Sequence, residues 1–299
     1  MEPTPEDTKP APTAGADAAP VLETLERGGD VVALHAHPAP ADASALAVLW
    51  PAMGVPARYY RAFAAQLTAA GVAVVVADLR GTGASTPAPS RASRYGLGEL
   101  AADVGAVLEH LGPRRAGRRT ILVGHSLGGQ ACALHLASDP AADVSGLALL
   151  AVGLPYWRTY PRGRRLPVLL QTQTLAAVSA VARVWPGWGF GGRQARGVIR
   201  DWAHTARTGR YPARNGVDLE AGLARVTTPV LAVDMAGDQF TPPGTVTHLV
   251  EKLSAAPVTR ERYDPGAAID HFRWAKHGAE LANRVAAWAS VVPPRLYQP

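Results

Sequence analysis

The sequence predicts an α/β fold: a mostly parallel sheet with helices on both faces, interrupted by a small helical insertion. Three observations carry this. Short apolar runs rich in Val, Ile and Leu alternate with helix-like segments, the order expected of parallel strands joined by crossover helices. The run at 72–77, VAVVVA, is apolar without alternation, as in a strand covered on both faces. At 121–129, the strand-like ILVG runs straight into Gly124-His125-Ser126-Leu127-Gly128, and a helix-like stretch at 130–138 follows at once.

The elements follow in order. Residues 1–20 are Pro, Ala, Thr and acidic residues without periodicity and read as a disordered tail. Strands are expected at 30–37 and 46–50. An amphipathic helix at 58–70 closes at Gly71, and the strand at 72–77 follows. A helix at 97–111 stops at Gly112-Pro113. After the strand at 120–124 and its helix come apolar strands at 144–151 and 229–234. A helix at 246–253, a weaker strand at 258–263 and a closing helix at 274–291 complete the pattern. Between 153 and 225 no apolar β run appears. Helix-like pieces at 166–184 and 195–208 flank the Pro/Gly-rich stretch 185–192, and four of the seven tryptophans fall here: Trp157, Trp185, Trp188 and Trp202. The expected organisation is therefore a core of 21–152 and 226–299, with 153–225 as a cap over the C-terminal edge of the sheet.

Composition removes several function classes. With 47% hydrophobic residues the chain can bury a substantial core. Its net charge of +6 is almost all arginine, spread along the chain, which disfavours a nucleic-acid partner. Arg114, Arg115, Arg118 and Arg119 form one local group, expected to be a solvated loop. Cys132 is the only cysteine, so neither an intrachain disulfide nor a Cys-rich metal site is possible, and a small core residue is expected there. No metal and no cofactor is expected. No basic-then-apolar leader opens the chain and no apolar run approaches a membrane span, so a cytoplasmic protein without a membrane partner is expected. Oligomeric state is not legible.

The chemistry centres on Ser126. In a tight strand-to-helix turn the serine backbone is strained, and side chains at Gly124 or Gly128 would collide with neighbouring backbone. The strain holds Oγ clear of the sheet, and the Leu127 N–H, opening the next helix, points at a developing oxyanion. Serine is a weak nucleophile that needs a base, and the base needs an orienting acid. These should follow in the order acid, then histidine, each just after a strand. Asp238 lies in the loop after the strand at 229–234; a loop turn or helix cap is the plainer alternative, and Asp234 is the nearest competitor. Of nine histidines, only His271 stands after the last strand and before the final helix. The second oxyanion donor should come from the loop after 46–50, Trp50-Pro51-Ala52-Met53-Gly54. Met53 N–H is the candidate, with a neighbouring register open.

The insertion supplies an expected wall for an apolar or aromatic acyl group: Tyr156, Trp157, Tyr160, Trp185 and Trp188. The alternative is that these rings simply bury the cap on the core. Arg158, Arg162, Arg164 and Arg165 either meet an acidic handle or face solvent. The loop 78–85, DLRGTGAS, lacks the third glycine of a dinucleotide fingerprint and is expected to shape the rim of the site.

On these motifs the chain resembles the α/β-hydrolase superfamily over about 30–292. The carriers are DLRGTGAS at 78–85, GHSLGG at 124–129, GDQFTPP at 237–243 and DHFRW at 270–274. Within the superfamily it is similar to a bacterial subgroup of predicted hydrolases, through WPAMGVPARYY at 50–60, RDWAHTAR at 200–207 and the IDHF ending. The resemblance implies an eight-stranded sheet, a Ser126–His271–Asp238 triad and action on an ester, thioester or amide. Two positions depart from the pattern. Pro51-Ala52 stands where many members have His-Gly, and Asp270 stands where Gly commonly precedes the histidine. That carboxylate either tunes His271 or faces solvent.

Three classes of function follow. The first is a serine hydrolase of carboxylic esters or thioesters, with a small-molecule acyl substrate. The second is an acyltransferase or cyclase on the same triad in a biosynthetic pathway. The third is a non-catalytic ligand-binding member of the fold. Because the elbow carries serine and not aspartate, alkyl-enzyme chemistry on haloalkanes or epoxides is disfavoured.

Overall fold

A computed structural model describes residues 19–213, 218–266 and 269–295. The tail expected at 1–20 lies outside the described residues except for its last two. In chain order the elements are β1 (Val21–Arg27), β2 (Asp30–Ala36), β3 (Ala45–Trp50), α1 (Arg61–Ala69), β4 (Ala73–Ala77), α2 (Leu97–His110), the single turn α3 (Gly112–Arg115), β5 (Arg119–His125), α4 (Leu127–Ser138) and β6 (Gly146–Leu150). The insertion follows with α5 (Arg162–Ala182), the two-residue strands β7 (Val184–Trp185) and β8 (Gln194–Ala195), α6 (Arg196–Thr208) and α7 (Leu219–Ala224). The chain closes with β9 (Val230–Met235), α8 (Pro243–Val250), β10 (Val258–Tyr263), α9 (Trp274–His277) and α10 (Ala279–Val291).

Eight strands form one sheet in the order β1-β2-β4-β3-β5-β6-β9-β10. The pairs β1/β2 and β2/β4 are antiparallel, and the rest are parallel. Alternation along β3 feeds two cores. Leu46, Val48 and Trp50 pack with residues of α2 and α4 on one face. Ala45, Ala47 and Leu49 pack with α1, α9 and α10 on the other. Each fully buried Leu or Val contributes about 1.5–3 kcal/mol, so covering both faces fixes the sheet's register strongly.

Three local differences from the sequence reading have physical reasons. β1 is an exposed edge strand whose apolar residues Val21 and Leu22 stay outside, so burial patterning could not reveal it. The available signal was Gly28-Gly29, both at positive φ, a two-residue hairpin turn. The closing helix breaks at Gly278, where a Cβ would stand 2.5 Å from the Trp274 carbonyl oxygen. The expected solvated arginine loop is instead an anchor. Arg115 is buried and donates to Thr120 Oγ1 and to the carbonyls of Leu108 and Asp143. Arg114 pairs with Glu23, and Arg118 and Arg119 donate to the carbonyls of Ala43 and Val292. Cys132 is buried in the core, and burial pushes its thiol well up. Among the described residues, no helix is long and apolar enough to cross a membrane.

Candidate active site

The strand order reverses direction at β3, with β4 on one side and β5 on the other. Such a switch opens a crevice at the carboxyl ends of the strands. Here Trp50 pairs with Gly124, so the loops leaving β3 and β5 emerge side by side.

Ser126 stands between β5 and α4 with φ 51° and ψ −118°, a conformation L residues rarely adopt. The glycines around it explain how the turn closes. A Cβ on Gly124 would overlap Gly129 Cα, and one on Gly128 would overlap the Trp50 carbonyl oxygen. The Pro51 carbonyl oxygen also stands against Gly128, so the elbow and the β3 loop touch backbone to backbone.

The expected acid and base meet. His271 Nδ1 lies 2.7 Å from Asp238 Oδ2, with both side chains buried. Asp238 Oδ1 accepts from the amides of Phe240 and Thr241, and Thr241 Oγ1 donates to Oδ2. Burial opposes ionisation of this carboxyl, but the bonds from His271 and Thr241 outweigh it and hold it below the usual carboxylate range. A Cβ on Gly237 would overlap the Ile269 carbonyl oxygen, so this glycine lets the acid loop reach the histidine loop. Ser126, His271 and Thr241 line one cavity of about 200 Å³.

Competing residues are engaged elsewhere. Asp234 accepts from Arg260 at 2.8 Å. Asp270 Oδ1 accepts from the amides of Phe272 and Arg273 and caps that turn. His125 is buried, its Nδ1 is 2.7 Å from Tyr60 Oη, and its ring centroid is 4.7 Å from that of His271. No residue of the loop 78–85 lines the cavity. Instead the buried Asp78 carboxylate accepts from Ala57 N at 2.6 Å, from Ala84 N at 2.9 Å and from His35 Nε2 at 2.9 Å. That loop therefore holds the turn carrying Tyr60 rather than the rim.

The β3 loop shows which of its amides is available. Ala52 N–H donates to Tyr60 Oη at 3.0 Å. Among the described residues the Met53 N–H has no acceptor within the protein. The Leu127 N–H opens α4 and has no intrahelical partner. Ala52, Met53 and Leu127 all line the cavity with Ser126.

Of the five aromatic residues expected at the wall, only Tyr160 lines the cavity. It is buried, and its hydroxyl donates to the Phe240 carbonyl at 2.7 Å. Tyr156 packs on His248, and Trp157 lies under the Arg158 guanidinium. Trp185 is buried behind the wall and donates to the Phe190 carbonyl, whereas Trp188 is 70% exposed. The aromatic surface that does line the cavity is Phe190, Trp202, Phe240 and Phe272, with Met53 and Val168 beside it. Sequence periodicity could not select these, because they come from four separate segments brought together only by the fold. Of the arginine cluster, Arg164 lines the cavity and donates to the Gln239 carbonyl and side chain. Arg165 donates to the Tyr160 carbonyl instead. The described residues contain no cluster of three or more His, Cys, Asp or Glu arranged for a metal ion.

With this geometry in view, the sequence model of one family, serine aminopeptidase S33, matches residues 41–267. The chain belongs to this family of α/β-hydrolases. Among curated proteins no sequence matches. Solved structures of similar fold include the thioesterase domain from the curacin biosynthetic pathway, at 17% identity and TM-score 0.59, covering 92% of this chain and 100% of that one. A hydrolase from Pseudomonas aeruginosa is 21% identical with TM-score 0.58, covering 89% and 97%. A monoacylglycerol lipase from Paleococcus ferrophilus is 18% identical with TM-score 0.60, covering 86% and 98%. At these identities the α/β-hydrolase fold is what is shared. The family implies a hydrolase acting on a small molecule, and the eight-stranded sheet is the one the sequence motifs imply.

Proposed function

We propose that this α/β-hydrolase is a serine hydrolase that cleaves a carboxylic ester or thioester through an acyl-enzyme on Ser126. The observation that carries the reading is the strained Ser126 backbone opening onto the cavity that His271 also lines, with Asp238 hydrogen-bonded to His271 Nδ1. His271 Nδ1–H donates to the Asp238 carboxylate, which leaves Nε2 as the proton acceptor. Ser126 Oγ attacks the acyl carbonyl as Nε2 takes its proton, and the Met53 and Leu127 amides hold the oxyanion. The leaving alcohol or thiol receives that proton from His271, and water then hydrolyses the acyl-enzyme by the same steps. Residues 153–225 act as a cap, and Phe190, Trp202, Phe240 and Phe272 favour an apolar or aromatic acyl group.

A fluorophosphonate probe followed by peptide mapping tests the reading: a single adduct is expected on Ser126. Ser126→Ala should lower ester turnover by a factor on the order of 10⁴ or more, with the melting temperature kept. Turnover surviving in that variant would remove the covalent scheme. Product analysis with an added amine or alcohol distinguishes hydrolysis from transfer to that acceptor.

A further inference from the structure

The loop 186–192 between β7 and β8 contains four glycines, and all four have positive φ: 96° at Gly187, 67° at Gly189, 64° at Gly191 and 61° at Gly192. No L side chain adopts such a run at low cost. The backbone at the far end of this loop lies directly on the loop after β3. A Cβ on Gly54, itself at φ 71°, would overlap the Gly191 carbonyl oxygen. A Cβ on Gly191 would stand 2.7 Å from Met53 Sδ. Met53 is thus held on its side-chain face by the insertion, while its N–H has no acceptor within the protein among the described residues. Two hydrogen bonds fix the covering loop: Trp185 Nε1–H to the Phe190 carbonyl at 2.8 Å, and Gln194 Nε2–H to the Gly191 carbonyl at 2.7 Å. The donors are buried, and neither residue lines the cavity.

We infer that the 186–192 loop is a positioning element for the oxyanion hole: by seating Gly191 on Met53 and Gly54, it fixes the Met53 amide. This rests on the reading of Met53 as an oxyanion donor. An oxyanion donor acts mainly on the transition state, and a displacement of about 1 Å is enough to lose much of its effect. Loosening the loop should therefore slow the chemical step and leave ground-state binding nearly unchanged. Trp185 and Gln194 are then positioning residues, acting through Gly191 and Met53 without touching substrate. A loop that served only as a wall would behave in the opposite way, since losing a wall weakens binding of the longer acyl groups that touch it.

The test uses the full chain and p-nitrophenyl esters from acetate to octanoate. Trp185→Phe removes the bond to Phe190 and keeps most of the ring volume. Gln194→Met removes the bond to Gly191 and is the second variant if the first does not fold. The expected result is a kcat lowered about tenfold on acetate and octanoate alike, with KM within about twofold. The second-order rate of fluorophosphonate labelling at Ser126 should fall in parallel, because that reaction also develops charge on an oxygen in the hole. A KM raised on octanoate with kcat and acetate turnover unchanged overturns the inference. So does wild-type behaviour of a folded variant. Failure of the unsubstituted protein to label at Ser126 would count against the serine mechanism itself, and the two failures are thereby distinct.

Discussion

The elbow at Gly124–Gly129 and the loop 186–192 are both glycine-rich, and they use glycine in different ways. In the elbow, Gly124 and Gly128 have ordinary φ, and their missing side chains make room for other backbone; the strained φ falls on Ser126. In the insertion loop the glycines themselves carry the positive φ, and Gly189 has no atom near where a Cβ would stand. One segment is shaped by what surrounds it. The other takes its shape from the conformational freedom of its glycines and a few hydrogen bonds, and touches its surroundings at Gly191, seated on Met53 and Gly54. The elbow should therefore be intolerant of almost any change and loop 186–192 sensitive in rate, while α5, which lines the cavity at Val168, should accept changes that redirect specificity.

The largest effect should come from the elbow. Gly128→Ala forces a methyl group into the Trp50 and Pro51 carbonyls. It should cost about 3 kcal/mol or more of stability, and ester turnover should fall at least about 100-fold in whatever folds. Thermal unfolding and initial rates check this, and a fully active Gly128→Ala would break the contrast. A smaller and selective effect is expected in the insertion. Val168 lines the cavity from α5, and Val168→Phe should cut kcat/KM on octanoate about tenfold while acetate is nearly unaffected. An equal loss on both esters would show that α5 shapes more than the acyl site.

The smallest effect lies away from both regions. Burial, helped by His35 and Arg61, lowers the pKa of His37 from 6.5 to about 4. Above about 6.5 the residue is neutral in folded and unfolded chains alike, and its contribution to stability is complete. As pH falls from about 6.5 towards about 4, the unfolded chain takes up a proton that the folded one refuses, so stability declines. His37→Leu should flatten the melting temperature over that window. An unchanged slope would assign the acid sensitivity to other groups.

Legibility in the sequence follows the same contrast. Ser126, Asp238 and His271 were legible as candidates because Ser126 directly follows β5, Asp238 lies three residues past β9 and His271 lies between β10 and α9, where a short local pattern marks each one. The parallel strands were legible because burial on both faces leaves an unbroken apolar run, as in β4. β1 was not, because an edge strand keeps Val21 and Leu22 outside. The cavity wall was legible only at Tyr160. Trp188 and Trp157 look like wall residues by composition, yet ring size says nothing about direction, and Phe240 and Phe272 reach the cavity from loops defined by the acid and the base. The burial of Arg115 is illegible for a related reason: a basic run suggests solvent until the carbonyls that receive it are known.

The hydroxyl of Tyr60 has one more consequence. It accepts the Ala52 N–H, so its own hydrogen is free to be donated to His125 Nδ1. That selects the tautomer of His125 with hydrogen on Nε2. Burial, together with the neighbouring His271, also holds this imidazole well below its usual pKa, so it stays uncharged. The two imidazole rings stand 4.7 Å apart, and in the proposed mechanism the free lone pair is the one on His271 Nε2. A phenol outside the cavity lining thereby keeps His125 from competing with His271 in the proposed mechanism.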